Sequence, residues 1–317
     1  MTHLENSTAG APVAPAPRPA ASRRAKAQRR AMILFIAPAF LIYAAFVFVP
    51  LGMSVYYSLL RWDGIGEIAT SARFYGLRNY IEVLTDDDLL QIIGNAFQLA
   101  LWFTIPPVCL GLAVASAIRS QMAGRFGTAT RTILFLPQVI PLVAAGIAWS
   151  WMYDSYGVVN QFLRWVGLES WTRGWLGDFT YALPAVGIIG AWVLLGLCTM
   201  LLVTGIARID GSLYEAAKLD GARPRHEFRF VTLPGLKNEI GICITVTIIQ
   251  ALSSFDIVYI ATAGGPGIET TVPGLEIYRL AFAHRQVGLA SALAIVLMIL
   301  VLACVLPIQW ALRDRNK

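Results

Sequence analysis

Charge is what this sequence has least of. Of its 317 residues only 14% are Asp, Glu, Lys or Arg, while 57% are hydrophobic. A soluble domain carries roughly a quarter charged residues. With a mean hydropathy of +0.63, the chain is no ordinary water-soluble enzyme; it reads as an all-α polytopic membrane protein. Cysteine is scarce too. Cys109, Cys198, Cys243 and Cys304 all fall in apolar runs and none forms a C-x-x-C pair, which argues against metal or disulfide roles and for buried thiols. The phosphate loop G-x-x-x-x-G-K-[ST] is missing, so the chain lacks that nucleotide-binding signature. There is no internal sequence repeat. A basic excess of 25 over 19 acidic residues gives +6, which reads as loop charge beside a membrane and not as a nucleic-acid surface.

What is present begins with a tail. Residues 1–31 are rich in Ala, Pro and Ser and end in a basic cluster, Arg23 to Arg30; such a composition cannot bury a core and predicts disorder. The apolar run from Met32 to Val49 is too long for a signal-peptide core, and no A-x-A-like site follows it promptly, so a retained first span is predicted. Crossing a bilayer takes about twenty apolar residues. Six segments qualify: 32–49 continuing towards Leu60, 92–118, 133–153, 181–206, 240–262 and 288–311. This divides the chain into a tail (1–31), a first transmembrane helix (32–60), an extracytoplasmic loop (61–91), a core of five further transmembrane helices (92–311) and a short tail (312–317). Pro106-Pro107, Pro137 and Pro141 interrupt the runs. Such breaks survive in lipid only where neighbouring helices or a water-lined cavity pair the freed backbone groups.

Basic residues orient the spans. Residues before 32, 119–131, 207–239 and after 311 hold 18 of the 25 Lys and Arg, which predicts that these segments and both termini are cytoplasmic. Of the outer loops, one carries Arg61-Trp62-Asp63-Gly64, and another, Gly157 to Val166, has apolar residues at helical spacing and predicts an interfacial helix.

The cytoplasmic segment 207–239 is the charged exception among apolar runs. Ser212 and Glu215 have capping-box spacing, placing Leu213, Ala216, Ala217 and Asp220 on one helix face. Gly221 suits a left-handed stop, Pro224 can open a second helical turn, and Pro234 sits where the next span starts. Small side chains at the centre of the first helix allow close approach of a partner, while Glu215 and Asp220 can accept charge-assisted hydrogen bonds. An ordinary solvated loop, its acids paired with Lys218, Arg223 and Arg225, is the competing reading; the residues alone leave both open.

Glu215-Ala216-Ala217, Asp220-Gly221-Ala222, Phe228 and Thr232-Leu233-Pro234 resemble the EAA signature of membrane subunits of binding-protein-dependent ABC importers. Similarity continues at Arg61-Trp62-Asp63-Gly64, Gly76-Leu77-Arg78-Asn79-Tyr80, Arg131 to Pro137, Gly157-Val158-Val159-Asn160 and Gly264-Gly265-Pro266, and covers nearly the whole chain beyond the tail. The sequence is most similar to the sugar-permease branch, of the maltose-transporter larger-subunit type, whose partner permeases often have a glycine-rich tail that Leu312 to Lys317 lacks. Lys237-Asn238-Glu239 departs from the family's usual sequence after Leu-Pro. The resemblance implies the six-helix, EAA-loop fold of type I importers in a bacterial cytoplasmic membrane. It implies that Glu215, Ala216, Ala217, Asp220, Gly221, Ala222, Phe228 and Pro234 dock on a separate ATPase. The implied partners are a homologous second permease, two cytoplasmic ATP-binding subunits, an extracytoplasmic solute-binding protein, a sugar and membrane lipid. No cofactor belongs to this chain, since ATP binds the partner, and no nucleic acid is involved.

For the solute path, Asp256 is the carboxylate inside an expected span, which makes it a functional candidate. Gln250, Ser253 and Ser254 share its polar stripe, and Trp192, Trp149 and Trp151 offer rings suited to a sugar. The competing readings are structural packing for Asp256 near Gly264-Gly265-Pro266, and an interfacial belt for the tryptophans. Two other classes fit less well. Asp220-Gly221-Ala222-Arg223 resembles a lipid phosphotransferase run but lacks the clustered aspartates that would hold a divalent cation. A secondary transporter predicts repeats and more intramembrane charge.

Overall fold

The computed structural model describes residues 20–119 and 124–312, in two units, Met1–Met53 and Ser54–Lys317. In the first, helix α1 (Ala20–Tyr43) passes through a π-turn at Ala44–Phe48 into α2 (Val49–Ser58). Helix begins at Ala20, so the expected tail disorder does not extend over residues 20–31. After Pro19 the run to Arg30 is nearly all Ala, Arg, Lys and Gln, which are strong helix formers. Residues 1–19 and 313–317 lie outside the described residues. Apolar side chains such as Leu34 and Phe35 are exposed, as suits a helix in lipid.

The second unit opens with a small antiparallel pair, β1 (Leu60–Arg61) and β2 (Arg73–Phe74), with α3 (Ile68–Ser71) in between. The helices that follow are α4 (Arg78–Thr85), α5 (Asp87–Ala117), α6 (Arg125–Val139), α7 (Leu142–Met152), α8 (Val158–Trp165) and α9 (Ala182–Ile206). After them come α10 (Gly211–Leu219), α11 (Pro224–Glu227), α12 (Leu233–Gly235), α13 (Lys237–Leu252), α14 (Asp256–Thr262), α15 (Pro273–Tyr278) and α16 (Val287–Leu312). So short a strand pair needs outside support. Buried Asn79 supplies it: its Nδ2 donates to Ser58 O at 2.8 Å and Leu60 O at 2.9 Å. The expected interfacial helix forms as α8. There Asn160 is buried, donating to Asp154 O at 3.0 Å and Arg173 O at 2.7 Å while accepting from Trp175 Nε1 at 3.0 Å.

The core is built on α9, with α5 as its main neighbour and α6 and α13 alongside. Leu99, Phe103, Val186, Ile189, Leu252 and Ile257 form one buried cluster, and Cys198, Leu202, Leu236 and Cys243 another. Two glycines of α9 set the spacing. A Cβ on Gly190 would lie 2.1 Å from the Phe103 ring, and one on Gly196 would lie 2.3 Å from Leu134 O. Glycine is required there by space, because α5 and α6 come too close for any side chain. The four cysteines are free thiols.

Four helices are long and apolar enough to cross a membrane alone: Met32–Ser58, Asp87–Ala117, Ala182–Ile206 and Val287–Leu312. Two bent pairs would make the number six if each crosses as one span: Gly127–Val139 with Leu142–Met152, bent by 98°, and Pro224–Gly235 with Lys237–Leu252, bent by 68°. The expected span 133–153 is therefore broken. Pro141 has no N–H to continue a helix, and it pushes the preceding residue out of the helical region. The expected span 240–262 is also broken, α13 ending at Leu252 and α14 starting at Asp256. The Ser253 hydroxyl turns back on Ile249 O, a contact that competes with the helical ladder, and Phe255 leaves helical geometry with φ −137° and ψ −57°.

Candidate functional site

Loop 207–239 folds into the expected helix, glycine turn and helix, with one correction at its start. Ser212 and Glu215 do not cap the first helix; Asp210 does, its Oδ1 accepting from Ser212 N at 3.0 Å. A carboxylate at that position also meets the positive end of the helix dipole, and the Ser212 N–H holds the Asp210 carboxyl below the usual aspartate range. At the other end Gly221 has φ +76°. Ala222 N donates to Ala217 O at 2.9 Å, the six-to-one closure of a left-handed helix stop. Pro224 opens α11, and a π-turn at Phe228–Thr232 leads to α12 with Pro234.

Beneath this surface lies a clasp that sequence reasoning missed. Tyr214 is buried, and its hydroxyl hydrogen-bonds Thr232 Oγ1 at 3.0 Å. The Arg119 guanidinium lies 3.7 Å from the Tyr214 ring centroid and donates to Glu227 Oε2 at 2.8 Å. One arginine just past the end of α5 thus holds both arms of the loop. Outside the clasp, Glu215, Ala216, Asp220, Gly221 and Pro234 are exposed, and Ala217, Ala222 and Phe228 are half-buried. Among the described residues neither Glu215 nor Asp220 is in an ion pair, so the competing self-paired loop is not what forms. Leu219 is 90% exposed and Phe230 67%, adding an apolar surface to the small and acidic one.

The two span breaks meet at a second place. The break after α6 and the break after α13 both line one cavity of about 160 Å³. Gln250, Ser253, Ser254 and Asp256 line it together with Gln138, Ile140 and Leu142, and Phe103 and Gly190 are also in its wall. The sequence candidates are thus brought together by a helix break and not by a continuous helical stripe. Trp192 is absent from that wall; it packs edge to face on Trp149 at 5.6 Å. Trp151 is exposed, consistent with a belt position.

Residues 108–315 match the protein family described as the inner membrane component of binding-protein-dependent transport systems. The chain belongs to this family. The permease is 34% identical to the probable ABC transporter permease protein YurN of Bacillus subtilis over 85% of this chain and 91% of that one. It is 31% identical to the diacetylchitobiose uptake permease NgcF of Streptomyces coelicolor, over 84% of this chain and 77% of that one. Its identity to the trehalose/maltose permease MalF of Thermococcus litoralis is also 31%, over 85% and 89%. Its fold matches that of a bacterial ABC transporter importing the acidic polysaccharide alginate, with a TM-score of 0.73 at 21% identity over 93% of this chain and all of the other. It is a multi-pass inner-membrane permease, as its family and its apolar helices require. The matched region contains the loop, the clasp residue Arg119 and both span breaks. One signal for the missed Gln138 was available: an amide side chain between two prolines of an otherwise apolar run.

Proposed function

We propose that this permease moves a carbohydrate through the cavity at its two span breaks, and that ATP hydrolysed on separate subunits drives the movement through α10. What carries this reading is the meeting of two broken spans on one cavity whose largely apolar wall carries Gln138, Gln250, Ser253, Ser254 and Asp256. Unpaired helix ends at membrane depth are tolerated where they line a cavity, and hydroxyl, amide and carboxylate groups at such ends suit a polyhydroxylated solute. The carbohydrate class rests on the relatives, whose names specify diacetylchitobiose, sulfoquinovosyl glycerol and trehalose or maltose. A solute-binding partner is supported by the alginate importer, solved with a saccharide-bound periplasmic protein. The other partners in this proposal are a homologous second permease and two cytoplasmic ATP-binding subunits. The chain itself needs no cofactor, and the basic loops put both termini in the cytoplasm.

In this scheme Glu215, Ala216, Ala217, Asp220, Gly221 and Ala222 form the face presented to the ATPase, with Phe228 and Pro234 shaping its second arm. Closure of the ATPases on nucleotide favours one of two packings of the paired permeases, and release favours the other. Gln250, Ser253, Ser254 and Asp256 act on the solute; Trp192, packed on Trp149 outside the cavity's lining, is not needed for that contact.

The test is uptake by the whole transporter reconstituted with its binding protein, using labelled maltose, trehalose and diacetylchitobiose. Changing Ser253 and Ser254 together to Ala removes two hydroxyls worth about 1 kcal/mol each when paired, so uptake efficiency should fall roughly thirtyfold. Unchanged rate and affinity would exclude this cavity as the path.

A further inference from the structure

Among the polar groups around the cavity, Gln138 stands in a different state from the rest. Its Oε1 is buried and has no hydrogen-bond partner among the described residues, whereas the Ser253 hydroxyl already has a backbone partner in Ile249 O. A buried amide oxygen without a partner is unfavourable and uncommon in folded proteins.

Its position is fixed by the backbone. Gln138 follows Pro137 near the end of α6, and the chain turns through 98° into α7 after Val139. The residues that could reorient it are constrained on both sides, by Pro137 and by Pro141, each with a locked φ. The amide is therefore carried on a stiff corner, in the same cavity wall as Gln250, Ser253, Ser254 and Asp256. A polar group held rigidly, unpaired and at a cavity wall is preorganised for a ligand.

We propose that Gln138 is a solute-recognition residue, its amide pairing with two neighbouring hydroxyls of a saccharide. Oε1 accepts one O–H while Nε2 donates to the adjacent oxygen. This rests on the carbohydrate reading above and adds to it a selection rule. A site built to pair a hydroxyl discriminates strongly against an analogue lacking that hydroxyl, because its own polar group is then left buried and alone. Gln138 thus favours a vicinal diol over the corresponding deoxy sugar.

The experiment is equilibrium binding of tritiated maltose, trehalose and diacetylchitobiose to the purified membrane complex in lipid nanodiscs. The complex contains both permeases and both ATPase subunits, without the binding protein. Gln138→Met keeps the length of the side chain and removes its polar atoms; Gln138→Glu keeps an acceptor and loses the donor. Gln138→Met should weaken binding of the recognised sugar about five- to thirtyfold, the loss expected for one or two neutral hydrogen bonds. It should also reduce the discrimination against single-deoxy analogues of that sugar. Gln138→Glu should show a loss of its own and, keeping a polar side chain at this position, provides the measurement if the Met variant does not assemble. Wild-type affinity in the assembled variants, with deoxy discrimination intact, overturns the role of Gln138 alone. No binding of any saccharide by the wild-type complex overturns both this role and the carbohydrate reading.

Discussion

Glu227 is 7% exposed and its carboxylate has one guanidinium partner, Arg119, which also covers the Tyr214 ring. Glu227→Ala leaves that guanidinium with only the ring and whatever water reaches it. The change should cost about 1–3 kcal/mol of local stability, read as faster amide hydrogen exchange across residues 213–232 and as reduced uptake by a complex that still assembles. Exchange equal to wild type would show that the loop is held by something else. In the sequence Glu227 is one more charge in a charged loop, since its partner is 108 residues away and no local spacing connects them. Asn79 and Asn160 were similarly opaque. Both stand in runs that resemble the family, but burial and a fan of backbone acceptors become visible only when distant segments come together.

Helix α10 shows how a cap is chosen. Ser212 and Asp210 both precede an apolar-periodic stretch, and capping-box spacing favoured Ser212; the structure uses the carboxylate two residues earlier. Because the Ser212 N–H lowers the Asp210 pKa on folding, the cap is at full strength above the ordinary aspartate value near 4. Its contribution fades as pH falls through the lower folded value. The protection of the Ser212 and Leu213 amides, taken relative to the intrinsic exchange rate at each pH, should therefore fall on acidification in wild type. It should be low at every pH in Asp210→Ala and retained without that acid dependence in Asp210→Asn, which caps while remaining uncharged. An Asn variant with the wild-type acid response would assign the titration to another group. The break at Pro141 was legible, since that residue announces its own missing N–H, but the expected interruptions at Pro106-Pro107 and Pro137 do not form, α5 and α6 running on through them. The break after α13 was not legible, because Ser253-Ser254-Phe255 contains no proline, and serine at the end of an apolar run is compatible with either a helix or its termination.

At the scale of the whole molecule the four unbroken spans followed from apolar length, while the expected spans 133–153 and 240–262 are broken; the family followed from a run of small and acidic residues at fixed spacing. What lay beyond reach was where separate spans meet, because a cavity is shared by residues more than a hundred positions apart, as Gln138 and Gln250 are in the same wall. The exposed loop lets docking be tested apart from folding. Gly221 has a positive φ, and a Cβ added there would meet nothing within 4 Å. Gly221→Val thus carries mainly the backbone cost of a left-handed residue, about 1–2 kcal/mol, while placing bulk on the face offered to the ATPase. The expected result is an assembled transporter that still hydrolyses ATP but imports little, with Gly221→Ala less affected. Full import by the Val variant would remove Gly221 from the docking face.

The clasp at Arg119 has a mechanical consequence. A force applied to Leu219 or Asp220 cannot be absorbed by the loop flexing freely, because Tyr214, Thr232 and Glu227 tie its two arms to the end of α5. The assembly has low compliance: a displacement entering at the tip leaves through α5, which is packed along α9 with almost no slack where Phe103 lies against Gly190. Phe103 and Gly190 are also part of the cavity wall. The loop is thus placed as the handle of a stiff lever whose far end is the wall of the proposed solute path.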